Sequence, residues 1–438
     1  MRLRQWIGLI LVMMICAFSL STPFQTFASL PNEFRIFSGQ DKQVNFSLPV
    51  SAQVIVEHPE IVQVNGQARQ SFELDLNHPF SLQSAAAGDT QVQVKLFGKI
   101  PLKTFQVHVV PELKVIPGGQ TIGVKMKSEG VLVVGHHKLT MKDSQRVSPG
   151  EEADVRVGDR IISINGKQLT DIAMVAKLTA EAGKRGESLR LTIKRGNETI
   201  ERELMPVLDS VEKSYRLGLY IRDSAAGVGT LTFYAPDYGV YGALGHVITD
   251  MDTQTPIAVG SGEIVHTHVT SISKSQNGEP GEKRANFFEN GKVLGTIQKN
   301  TEFGIFGKMN ENPEFGIYTK AIPVAFAEEV KEGPAKILTV LNGQKVEQFD
   351  IEIVHVTKQS VPQTKGMVIK VKDPRLIEAT GGIVQGMSGS PIIQDGKLVG
   401  AITHVFVNDP TSGYGCFIEW MLQDAGIRLN KQEHQRAG

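Results

Sequence analysis

Short runs of alternating apolar and polar residues, each stopped by a turn, constrain this chain more than any other feature. Val44, Phe46 and Leu48 alternate with Gln43, Asn45 and Ser47. Val92, Val94 and Leu96, and then Phe105, Val107 and Val109, repeat the pattern. A period of two puts one set of side chains on one face of a strand, which a helix cannot do. Ser38-Gly39, Asn65-Gly66 and Gly88-Asp89 punctuate the runs, and 44 glycines spread such turns over the 438 residues. A chain of this length calls for several domains of the usual ~150 residues. The expected fold is therefore mainly β. Lys+Arg and Asp+Glu balance at 46 each, which argues against a protein that holds polyanions.

After Arg2 and Arg4 no charge appears before Glu33, and residues 6–20 are apolar apart from Gly8 and Ser19. Residues 1–30 thus read as a signal or anchor helix whose positive end stays inside. The run falls short of the ~20 residues of a full span. Thr26-Phe27-Ala28 offers a small-residue cleavage site, so removal and anchoring both remain open. Either way the rest of the chain is expected to be exported. Cys16 belongs to this segment, leaving Cys416 alone in the remainder, so no internal disulfide can form there.

Residues 31–110 carry the clearest alternation and read as a small antiparallel β-sandwich without chemistry. Residues 111–208 read as strands with one helix. Within them, 155–166 give a turn, a short buried strand and an Asn165-Gly166 hairpin. A helix follows, capped by Thr170 or Asp171, with Ile172, Val175, Ala176 and Thr179 on one face and Gly183 closing it. This order, with Gly158-Asp159-Arg160 leading into Asn165-Gly166, resembles a PDZ domain of the bacterial exported-protease type. Upstream, Thr121, Ile122, Gly123 and Val124 are similar to that family's carboxylate-binding loop, in which apolar residues flank a glycine. The resemblance implies that an extended peptide binds there, its carboxylate held by converging N–H groups.

Residues 212–438 form one large unit of short strands and glycine turns. Gly386-Met387-Ser388-Gly389-Ser390-Pro391, followed by a hairpin, resembles the nucleophile loop of chymotrypsin-fold serine peptidases. Such a loop aims the N–H groups of Gly386 and Ser388 at one oxyanion, and a Cβ at 386 would hinder the turn. The serine needs a base, and His246 ends a strand-like segment upstream of it. The order His before Ser fits the chymotrypsin arrangement. An α/β-hydrolase would instead need Ser, acid, His and a glycine where Ser390 stands. Four aspartates lie between the two: Asp250, Asp252, Asp350 and Asp373. Spacing leaves the choice between Asp350 and Asp373 open, with a slight preference for Asp373 at the end of an alternating strand. Gly382, His404 and the segment 413–415 are candidate pocket lining, and a small or apolar substrate side chain is expected.

Taken together, the leader, the β unit, the PDZ-like unit and the serine loop resemble the stage IV sporulation protein B serine peptidases. The motifs are Gly-Ala-Leu-Gly-His at 242–246, Lys-Asp-Pro at 372–374 and Gly-Gly-Ile-Val-Gln-Gly-Met-Ser-Gly-Ser-Pro-Ile at 381–392. The resemblance implies a chymotrypsin-like double β-barrel with His246, Asp373 and Ser388 as its triad and no cofactor or metal. It also implies an exported endopeptidase acting between the membranes around a forespore. There it would cleave a membrane-bound regulator, release intramembrane processing of a late sigma factor, and cut itself within 30–80. A non-catalytic PDZ adaptor and an esterase are the competing readings.

Overall fold

The computed structural model describes residues 2–287, 292–314, 316–359 and 361–429. The C-terminal end of the unit expected over 212–438 lies outside them. The chain divides into two units, one holding the residues up to Leu113 together with Leu429 and the other Lys114–Arg428.

The first unit opens with helices Arg2–Ser19 and Thr22–Ser29. Among the described residues no helix is long and apolar enough to cross a membrane. Two sheets follow, one of five strands and one of three. The alternation does what its period requires: Val54, Val92, Val94, Phe105 and Val107 of the larger sheet are fully buried. Val62, Val64 and Leu82 of the smaller sheet join them in one core. One departure from the antiparallel expectation is the strand Glu33–Phe37, which pairs in parallel with Ile100–Val110.

The second unit is built on two unusually long strands, Thr121–His136 and Leu219–Ala235, of 16 and 17 residues. They pair with each other almost end to end, with a bulge between Lys127 and Leu132 where Gly130 takes φ +73°. Their far halves enter the PDZ-like unit, where 131–132 pairs with Arg160–Ile164. The Asn165-Gly166 turn has φ of 51° and 76°, the positive values a two-residue hairpin turn demands. Asp171 is the helix cap, its Oδ1 accepting from the Met174 N–H at 2.8 Å. The helix, Ile172–Arg185, runs through Gly183 and ends at Gly186 with φ +67°. Gly183 serves a close approach instead: a Cβ there would lie 2.2 Å from the Tyr215 ring.

The near halves of the long strands join Val240–Ala243, Val259–Ser273 and Gly304–Lys308 around a second core that includes Ile122, Tyr241, Ile264 and Ile305. This sheet remains a half-barrel, because its two longest strands run out of it. The other catalytic half closes fully. Gly333–Val340, Val346–Val356, Met367–Val371, Asp409–Phe417, Lys397–Phe406 and Pro391–Gln394 form a six-stranded barrel. The expected double barrel is thus one closed barrel and one half-barrel.

Candidate active site

Ser388 lies on a loop between helix Pro374–Thr380 and the strand Pro391–Gln394. Three anchors hold the loop against the half-barrel. Thr230 donates its N–H to the Ser388 carbonyl at 3.0 Å and its hydroxyl to the Gly386 carbonyl at 2.7 Å. Thr232 donates its hydroxyl to the Gly389 carbonyl at 2.7 Å. Both threonines are fully buried, and Met387 plugs the loop into the core with 0% exposure. Gly386 and Gly389 have φ of +91° and +92°, where a side chain is strained. Among the described residues, neither the Gly386 nor the Ser388 N–H meets a hydrogen-bond acceptor. The loop therefore presents free donors of the kind an oxyanion needs.

Ser388 is half-buried, and its hydroxyl donates to the Thr403 carbonyl at 2.9 Å. Ser390 is fully buried, and its hydroxyl has no partner among the described residues. Only the first of these hydroxyls is accessible to a reactant. His246 follows the strand Val240–Ala243 by way of Leu244 and Gly245, both with positive φ. That segment packs directly on the serine loop: a Cβ on Gly389 would lie 2.4 Å from the Leu244 N, and one on Gly245 3.0 Å from Thr403. The imidazole Nδ1 lies 2.8 Å from the Val247 carbonyl. A carbonyl only accepts, so Nδ1 carries the proton and Nε2 keeps its lone pair. Burial holds the His246 pKa below the ordinary 6.5, against an opposing contribution from the Val247 carbonyl. The imidazole is thus neutral and basic at neutral pH, as a general base must be. His404, next to Thr403, stands exposed with its ring centroid 5.4 Å from that of His246.

The aspartates are placed differently from the expected triad. Asp373 is buried as the cap of helix Pro374–Thr380. Its carboxylate accepts from the Arg375 N–H, Nε and Nη2 at 3.0, 3.1 and 2.8 Å, and from the Asp350 N–H at 3.3 Å. Four donors use the lone pairs a carboxylate has, and the Arg375 guanidinium holds its pKa below the usual range. Asp250 is likewise engaged by its own turn and by Arg222 Nη1 at 2.6 Å, Asp252 by Arg222, and Asp350 by Lys336. Among the described residues none of the four aspartates hydrogen-bonds to His246, and the Val247 carbonyl orients the ring instead.

The peptide loop expected at Thr121, Ile122, Gly123 and Val124 also requires correction. These residues lie inside the half-barrel sheet. They are paired on one side with 227–230, and 122–124 are paired on the other with 264–266. All four are buried, and a Cβ on Gly123 would lie 2.1 Å from the Phe287 ring. With both backbone edges occupied, no peptide strand can add at this point. The glycine accommodates an aromatic ring, not a carboxylate. Cys416 is buried between strands with its thiol pushed up to about 12, so it packs and does not react.

A strained serine loop with free N–H groups beside a neutral histidine, on a barrel framework, defines a serine-type peptidase. Residues 213–422 match the family model described as SpoIVB peptidase S55, and residues 142–195 that of a PDZ domain. The segment 213–422 is a peptidase domain of the SpoIVB S55 family. Two curated relatives, putative zinc metalloproteases of Brucella suis and Brucella melitensis, are each 28% identical over 107 residues, 24% of this chain. The chain spans 27% of the length of either relative. Among solved structures, the active form of the Rv3671c protease from M. tuberculosis is 14% identical, with a TM-score of 0.26. That match covers 47% of this chain and 75% of the other. The inactive form of the same protease is 15% identical with a TM-score of 0.25, covering 45% and 84%.

Proposed function

We propose that the protein is an exported serine endopeptidase in which Ser388 attacks a peptide carbonyl and His246 accepts its proton at Nε2. The Gly386 and Ser388 N–H groups hold the resulting oxyanion, and water releases the acyl-enzyme. The observation that carries this reading is the packing of the segment 244–246 on the serine loop, with His246 Nδ1 engaged by the Val247 carbonyl and, among the described residues, the Gly386 and Ser388 N–H groups unpaired beside a half-buried Ser388. Asp373 acts through the loop rather than through the imidazole, by capping the helix that leads into it. The substrate is a membrane-associated regulatory protein cleaved during endospore formation, with self-cleavage in the 30–80 region, as the family match suggests. Membrane attachment draws support from the helix Arg2–Ser19, which exposes Trp6, Ile7, Leu9 and Met14. For the PDZ unit, the strand edge at 219–224 beside helix Ile172–Arg185 offers the added-strand position that the loop at 121–124 lacks.

The rate at which a serine-directed phosphonate labels the protein tests this chemistry. Labelling should fall with acid along a limb set below pH 6.5, because protonating His246 removes the base. Asp373→Ala should lower stability by about 0.5–2 kcal/mol through the lost cap and slow labelling, while leaving that limb in place. A carboxylate partner raises an imidazole pKa. A limb displaced to lower pH in Asp373→Ala would therefore return Asp373 to the triad.

A further inference from the structure

Strand Glu282–Phe287 alternates exposed and buried positions, with Glu282 and Arg284 outside and Lys283 inside at 1% exposure. An inward lysine is costly unless it is partnered or neutral. Lys283 Nζ donates to the buried Thr339 hydroxyl at 2.6 Å, and among the described residues no carboxylate pairs with it. The neighbouring elements offer Ile272 across the strand pair, Thr339 from Gly333–Val340, and Gln385 and Gly386 from the serine loop. None of these titrates, and Glu282 and Arg284 face each other on the outer side. Burial alone pushes the amine down to about 7.

The same residue touches the serine loop twice. Its backbone N–H donates to the Gln385 carbonyl at 2.9 Å. Its Cβ, Cγ and Cδ lie 3.1–3.5 Å from the point where a Cβ on Gly386 would stand. The stem thus packs where a side chain at 386 would stand, against the residue that supplies one of the two proposed oxyanion donors.

We propose that Lys283 is a positioning residue of the oxyanion loop, bracing Gly386 with its stem and placing a buried ammonium whose positive field favours the oxyanion. The proposal rests on the reading of Ser388 as nucleophile. A fixed charge in a dry site acts far more strongly than one in water. The charged form exists below its pKa, so this contribution is lost as pH rises through it. The His246 contribution runs the opposite way, lost as pH falls. A narrow bell-shaped profile follows.

The test is the rate of Ser388 labelling by a fluorophosphonate across pH 5–9, on the full chain, for the parent, Lys283→Met and Thr339→Val. The parent should show a basic limb close to neutrality. Lys283→Met should label about 10–100-fold more slowly at the optimum, keep the acid limb and lose the basic one. Thr339→Val removes the acceptor that favours the ammonium form, so its basic limb should move to lower pH. This variant and the parent profile decide the matter if Lys283→Met fails to fold. A parent without a basic limb, or variants whose basic limbs superimpose on it, would overturn the proposal. A parent that does not label at Ser388 at all would instead overturn the nucleophile assignment.

Discussion

His246→Ala is expected to slow phosphonate labelling of Ser388 by roughly 10⁴–10⁶-fold, the scale on which a serine nucleophile depends on its base. The chain should remain folded, because the ring is only half-buried and, among the described residues, its one hydrogen bond goes to the adjacent carbonyl. The alternative base is His404, whose ring lies 5.4 Å from that of His246. His404 is exposed and, among the described residues, has no hydrogen bond like the one that fixes the tautomer of His246. His404→Ala should therefore cost far less than His246→Ala. A reversed order, with labelling lost in His404→Ala and kept in His246→Ala, would reassign the base.

Gly389→Ala should also be strongly damaging, for a different reason. At φ +92° a side chain is strained, and its Cβ would lie 2.2 Å from the Thr230 carbonyl and 2.4 Å from the Leu244 N. Both contacts are backbone, so no side-chain rotation relieves them. Strain and overpacking together cost roughly 2–5 kcal/mol. Thr230 holds the serine loop and Leu244 leads to His246, so the same methyl group pushes nucleophile and base apart. Labelling should drop by at least about a hundredfold, as on losing an oxyanion donor, and the unfolding midpoint should fall with it. A variant that labelled like the parent would mean that the loop has another conformation when it works.

What could be read from the sequence was whatever a local pattern encodes. The burial of Val92, Val94, Phe105 and Val107 follows from a period of two, and the Asn165-Gly166 hairpin from the φ those residues tolerate. The serine loop and His246 were visible because glycines and small residues bracket them in short motifs. The missing pieces depend on pairings distant in sequence. Thr230 and Thr232 look like ordinary strand residues until they meet carbonyls more than 150 residues away. Lys283 stands between the charged Glu282 and Arg284, and only strand register turns it inward. Gly123 matched a loop pattern because a glycine between apolar residues also suits a strand crossed by an aromatic ring. The place of Asp373 at a strand end suits a triad acid. The helix it caps, and Arg375 two residues on, give its carboxylate other work.

The central claim, that Ser388 is the nucleophile of a working peptidase site, is tested most directly by locating the phosphonate adduct. The labelled protein would be digested and the modified residue assigned by mass spectrometry. A single adduct on Ser388, absent from Ser388→Ala and retained by Ser390→Ala, is the predicted result. An adduct on Ser390 or elsewhere, or a parent that takes up no label where the acid-limb profile predicts full reactivity, would contradict it.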